Sequence, residues 1–257
     1  MVLGLEEAAS GGAEVEAMHA LLERLELRGR TITMDAAGTS PATARLIHER
    51  GGHYLLALKA NHRHLHEDVA ALFVWGEAQR HKGLLQWHEH RQSGGGHGRY
   101  ESRRVVTLSV GGAREVIGAP VDQWTGLRSL VLVERTRTRR VRGEQTRGVE
   151  RAFFLCSLPA RSQDDTARIG AAIRAHWAIE NSLHWGLDVV WGEDACRVRR
   201  DHAPKNLALL KRMASNIMRQ DTTYDISISL KRKTAAWNPD FLLHKLVGDK
   251  NTPLLMR

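Results

Sequence analysis

Apolar positions change their spacing several times along the chain, and each change marks an element. Residues 13–27 place Val15, Met18, Leu21, Leu22 and Leu25 at helical intervals and stop at Arg28-Gly29-Arg30, which predicts a helix. Residues 31–34 read as a short buried strand that delivers Asp35 at its tip. Ser40-Pro41 supplies an N-cap followed by proline in the first turn, so a helix is expected to about residue 50, closed by Gly51-Gly52. Residues 54–58 form a second apolar run, and a further helix is expected over about 65–80. This strand–helix–strand–helix order predicts parallel strands joined by right-handed crossovers. Both strand ends then lie on one edge, where α/β proteins keep their chemistry.

Between residues 83 and 157 the spacing shortens towards two. Trp87, Tyr100, Val105, Val106, Leu108, Leu130 to Val133, Phe153 and Phe154 fall in short runs split by glycines, which predicts an antiparallel β insertion. Helical spacing returns over 164–187, and Pro204 opens another helix to about residue 219. The expected organisation is a first core segment over 1–82, the β insertion over 83–157, a helical core segment over 158–220 and a basic tail over 221–257. The tail shows one short helix near 241–247.

Glu180 interrupts the helical pattern. On a helix turning about 100° per residue, Ile169, Ile173 and Leu187 lie within roughly 20° of it, and Trp177 and Leu183 at about 60°. Arg168, Arg174 and Ser182 turn away. The carboxylate is therefore expected in the apolar stripe, where it needs a cation, a proton or a metal. His176 and His184 flank it at about 40°.

Composition narrows the partners. The 257 residues are 42% hydrophobic and 26% charged, as in soluble globular chains, but the net charge of +9 favours polyanions. No secretory leader or membrane-length apolar run is present, and Cys156 and Cys196 are too few for a disulfide framework.

Several constellations carry chemistry. Asp35 and Glu180 together suit Mg²⁺ or Mn²⁺, whose oxygen-ligand chemistry supports phosphodiester cleavage; alternatively Asp35 caps a loop and Glu180 bonds a histidine. Arg135, Arg137 and Arg139 alternate with threonines and share one strand face, either to meet nucleic-acid phosphates or to protect a solvated hairpin edge. Arg197, Arg199, Arg200 and Lys205, with Lys211 and Arg212, form a second basic stretch around the start of a helix, itself favourable to phosphate. The groups His62, His64, His66 and His88, Glu89, His90 lack the spacing of helical zinc sites.

The stretches TITMDAAGTSPATARLIHERGGHYLLALKANHRHLHEDV, HGRYESR, GLRSLVLVERTR and IRAHWAIENSLHWGLDVVWGEDACRVRRDHAPKNLALLKRMASNIMRQ resemble the DDE insertion-sequence transposases of the H-repeat-associated type. The resemblance implies an RNase H-like α/β core with a β insertion ahead of the helix that bears the catalytic glutamate. It implies metal-dependent cleavage and strand transfer of double-stranded DNA at transposon ends, in a homo-oligomer, in the bacterial cytoplasm at the nucleoid. By match, Asp35 takes the place of the second catalytic aspartate and Glu180 that of the glutamate, holding Mg²⁺ or Mn²⁺. Arg174, His176 and Asn181 fall in the same motif and would position metal ligands or phosphates. Of the tyrosine–arginine–glutamate–lysine signature of some relatives, only the glutamate is matched; Ile173, His176 and Leu187 stand at the other positions. The family's first aspartate lies on a strand upstream of Met1-Val2-Leu3-Gly4. The expectation is therefore an N-terminally truncated transposase, catalytically impaired, with a non-catalytic DNA-binding or assembly module, or a pseudogene remnant, as the alternative.

Overall fold

The computed structural model describes residues 14–96, 99–141 and 144–247. Helix α1 (Glu14–Arg24) precedes β1 (Thr31–Met34), α2 (Pro41–Glu49), β2 (His53–Leu58) and α3 (Arg63–Ala78). Four antiparallel strands follow, β3 (Trp87–Gly96), β4 (Arg99–Ser109), β5 (Ser129–Val141) and β6 (Glu144–Cys156), with α4 (Val110–Ile117) between β4 and β5. Helix α5 (Gln163–Ala178) ends this part of the chain. Local signals act where they were expected. Ser40 is extended at φ −151° and accepts from Thr43 N at 3.1 Å, with Pro41 in the first turn. Gly51, at φ +72°, takes the left-handed conformation that stops α2.

The strands form one sheet in the order β1-β2-β6-β5-β4-β3. β1 and β2 are parallel, as predicted; β2 then pairs antiparallel with β6, Leu56 opposite Leu155. Residues 83–157 thus extend the same sheet. Alternation sorts the side chains onto two faces. Leu56, Leu58, Val106, Leu108, Leu130, Leu132, Phe153 and Leu155 meet α1–α4 in one core. Leu55, Ala57, Val105, Val131, Val133 and Phe154 meet Ile169 and Ile173 of α5 in a second. Two further contacts fasten α5: a buried hydrogen bond of 2.7 Å between Thr107 and Thr166, and the close approach of Gly170 to Val105.

Two compact units emerge, one spanning residues 8–177 and the other including 178–257. The second continues from α5 not as an α-helix but as two π-helical segments, Ile179–His184 and Gly186–Val190. The continuous α-helix expected over 164–187 is corrected accordingly: beyond Ala178 the chain no longer turns at 100° per residue. α6 (Ala203–Gln220), α7 (Ile228–Trp237) and α8 (Pro239–Val247) follow around Met218, Ala235 and Phe241. Asp221 lies between the ammonium groups of Lys231 (3.2 Å) and Lys245 (2.7 Å), all three side chains under 10% exposed. Burial opposes ionisation of Asp221, but hydrogen bonds from Lys245, Thr223 and Lys231 outweigh it and hold the carboxyl far below its usual range. α7 is an addition to the weakly patterned tail expected there, and Ser227 caps it, accepting from Leu230 N.

Candidate functional site

Asp35 stands at the carboxyl end of β1, exposed, on the edge expected from the parallel β1–β2 pair. Its Oδ1 accepts from the main-chain N–H groups of Ala37 (3.2 Å) and Gly38 (3.4 Å). This is the loop-capping role, and it leaves Oδ2 without a hydrogen bond among the described residues. The Thr39 hydroxyl lies within hydrogen-bonding reach of both strand ends, 2.9 Å from Asp35 O and 2.8 Å from Ala57 O. Asn61, just past β2, donates to Ala36 O at 2.6 Å, and His62 Nε2 lies 2.8 Å from Thr39 O. The tip of β1 is thereby fixed to the tip of β2.

Helix α5 reaches the same strand. His176 Nδ1 lies 2.9 Å from the hydroxyl of Thr33, on β1 two residues before Asp35. Glu180 follows His176 by four residues, in the first π-helical segment. The side chains of Glu180 and Asn181, both candidates from sequence, lie outside the described residues. Among the described side chains no group of three or more His, Cys, Asp or Glu is arranged to hold a metal ion. Asp35 itself fits a hard divalent cation, being an exposed carboxylate with one oxygen unengaged.

The arginines reach a different environment from the one expected. Arg135 and Arg137 do share a face, but β5 lies inside the sheet between β4 and β6, so the hairpin-edge reading is overturned. Arg135 bonds Glu150, and Arg137 lies 3.3 Å from Glu101 and 3.8 Å from Glu150. The side chain of Arg139 is outside the described residues. Arg103, opposite Arg135 across the β4–β5 ladder, bonds Glu101 at 2.8 Å. Both guanidiniums approach the ring of Trp177, at 5.2 Å for Arg103 and 5.1 Å for Arg135. Arg174 is exposed on α5 and lines, with Gln92, Ser93, Gly94, Glu101 and Arg103, an open groove of about 460 Å³. Arg103, within HGRYESR, and Trp177, near Glu180 on the expected helix, were given no binding role from sequence. The signal for Arg103 was present in its position two residues from Val105, on the face that α5 covers.

In the second unit Arg197, Arg199, Arg200 and Lys205 are exposed around the start of α6. Arg199 donates to the carbonyls of Cys196 and Val198, both at 2.8 Å, while Lys211 donates to Gly192 O at 3.2 Å and Arg212 bonds Glu193. Of the histidine groups, His62 meets Trp124 and His66 meets Phe153 edge-on, each at 5.2 Å, and Glu89 pairs with Arg80 and Arg104. Among the described residues no helix is long and apolar enough to cross a membrane.

A family model described as "Transposase DDE domain" matches residues 2–217. The chain is 29% identical over 250 residues to the H repeat-associated putative transposase YhhI of Escherichia coli, covering 96% of this chain and 63% of that protein. Putative transposase YncI, also of Escherichia coli, is 31% identical over 242 residues, or 94% of this chain and 59% of its own length. Putative protein YbfL of Escherichia coli is 29% identical over 250 residues, with coverages of 96% and 63%. The chain spans about three fifths of the length of these curated relatives.

Proposed function

The chain belongs to the DDE-domain transposase family, and from that premise we propose that it acts in DNA transposition, with Asp35 and Glu180 as carboxylate ligands of a divalent metal. The observation that carries this reading is the Thr33–His176 hydrogen bond of 2.9 Å. It fastens α5 to β1, the strand that presents Asp35; Glu180 joins the proposal through the family motif that it matches, four residues after His176. Mg²⁺ or Mn²⁺ held there would acidify an attacking hydroxyl and stabilise the leaving oxygen of a phosphodiester. His176 would hold the junction in place through Thr33, and Asn61 the loop that carries Asp35. The DNA would be the terminal repeats of an insertion sequence, met by Arg135, Arg137, Arg139 and Arg174 in one unit and Arg197, Arg199, Arg200 and Lys205 in the other. A core of the RNase H type and assembly as a homo-oligomer on the DNA belong to the same proposal.

Calorimetric titration with Mn²⁺, in the presence of terminal-repeat duplex, tests the assignment. The expected result is metal binding weakened at least tenfold by Asp35→Ala and by Glu180→Gln, with duplex binding retained. Metal affinity unchanged in both variants would overturn it. A second reading, a DNA-binding module without catalysis, is supported by the exposed basic residues Arg197, Arg199, Arg200 and Lys205, which need no carboxylate to hold phosphates. It predicts duplex binding, indifferent to both substitutions, with no specific Mn²⁺ site at all.

A further inference from the structure

Arg103 and Arg104 are neighbours on β4 and point to opposite faces of the sheet, and the two faces treat their charges differently. Arg104 sits with Trp87, its guanidinium 5.8 Å from the ring, and bonds two carboxylates, Glu77 and Glu89. Burial works against its charge, but the two carboxylates outweigh burial and raise its pKa. Arg103 is buried to the same degree, with 15% of its side chain exposed, and bonds only Glu101. Burial, together with the charges of Arg174, Arg135 and Arg137, outweighs Glu101 and lowers its pKa. Among the described residues the α5 face therefore gathers four arginines about two glutamates, Glu101 and Glu150, and Glu101 is already shared with Arg137. Among these side chains, cations outnumber anions.

The donors there are also left open. The Nε atoms of Arg103 and Arg135 are buried without a hydrogen-bond partner. Each guanidinium spends one Nη2 on its glutamate, and neither Nη1 is hydrogen-bonded among the described residues. Both guanidiniums lie close to the Trp177 ring, at 5.2 Å for Arg103 and 5.1 Å for Arg135, which restricts their freedom before any ligand arrives. The 460 Å³ groove is lined by Gln92, Ser93, Gly94, Glu101, Arg103 and the exposed Arg174, and Arg135 stands opposite Arg103 across the β4–β5 ladder. A planar guanidinium with an unused edge is matched by two phosphate oxygens, and a pre-set fork loses little rotamer freedom on binding. Carboxylates of a protein partner would offer the same pairing, but one charge per residue suits a cluster of this density less well than a polyphosphate backbone.

We propose that this groove is a phosphate site holding the backbone of a DNA strand through Arg103 and Arg174, with Trp177 positioning Arg103 and Arg135 adding its charge from the neighbouring strand. The site rests on the DNA-binding reading above and adds to it residues, Arg103 and Trp177, that act away from the Asp35 edge. It contacts phosphates and carries no base readout.

Fluorescence anisotropy of a labelled terminal-repeat duplex, and of one of its single strands, measured across a salt series, tests it. Arg103→Ala and the exposed Arg174→Ala are each expected to weaken duplex binding about tenfold and to reduce the salt slope by about one, while Arg91→Ala, which removes a charge from the opposite face, changes affinity less than twofold. Arg103→Lys keeps the charge but not the stacked fork, and should resemble Arg103→Ala; full rescue by lysine would overturn the clamp. Equal losses for Arg91→Ala and Arg174→Ala would reduce the groove to diffuse charge and overturn it too. If the wild-type chain binds no DNA, the parent reading fails; if it binds and Arg174→Ala is silent, only this site fails. A loss seen with the single strand and not the duplex would assign the groove to a displaced strand.

Discussion

Glu89 shows how one side chain joins three elements. It accepts from Arg104 at 2.9 Å and Arg80 at 3.1 Å, and also bonds Arg91, with 11% of its side chain exposed. Burial opposes its ionisation, but hydrogen bonds from Arg104 and Arg91 outweigh that and hold its pKa at about 2, against 4.5 for the free group. A depressed folded-state pKa gives stability that is present above the unfolded value and lost as the pH falls towards the folded one. Between pH 6.5 and pH 3 the loss amounts to about 2 kcal/mol from this group alone. Urea unfolding of Glu89→Gln should therefore show a deficit about 2 kcal/mol larger at pH 6.5 than at pH 3, where part of the contribution remains because the folded pKa lies below that pH. A deficit that stays constant with pH would mean that packing, not the ionised carboxylate, supplies the stability.

At the scale of elements, the seating of α5 on the sheet brings His176 against Thr33 of β1. A Cβ on Gly170 would come within 2.9 Å of Val105 Cγ2. Alanine is the better helix former by up to about 1 kcal/mol. Val105, however, is buried and β-branched, and cannot turn aside at no cost. Gly170→Ala is expected to lower stability by roughly 1–3 kcal/mol, visible as a reduced Tm, despite the propensity gain. A raised Tm would show that α5 has slack against β4. The elements that could be anticipated from sequence are those with local punctuation. α2 had Ser40-Pro41 and Gly51, and β2 had an unbroken apolar run because both its faces are covered. α4 was hidden inside a β-like region because its Gly111-Gly112 pair argues against a helix, and packing of Ala113 in the core overrides that preference. The π-helical segments beyond Ala178 were equally invisible, since an apolar stripe does not specify an i→i+5 hydrogen-bond pattern.

The whole molecule is where sequence reading was most partial, because partners across a sheet are long-range facts. Asp35 could be placed at a strand tip from the order of elements, yet its companions Thr33, Asn61 and His176 come from residues up to 143 apart. The arginines of β5 could be counted but not assigned, since nothing local tells that β4 and β6 flank them and that Trp177 lies against them. The net charge of +9 was legible at once, and its consequence is collective. If Arg103, Arg135 and Arg174 together with two of the exposed basic residues near α6 neutralise about five phosphates, log K should fall with log salt at a slope of about −4.5. That corresponds to a loss of roughly 500-fold in duplex affinity between 50 and 200 mM salt. The slope should not depend on the DNA sequence, because phosphates carry none, whereas any preference for terminal repeats should appear as a constant offset between parallel lines. A fall of less than about tenfold over that range would mean that the arginines are satisfied by Glu101 and Glu150 and that the basic charge serves solubility, not DNA.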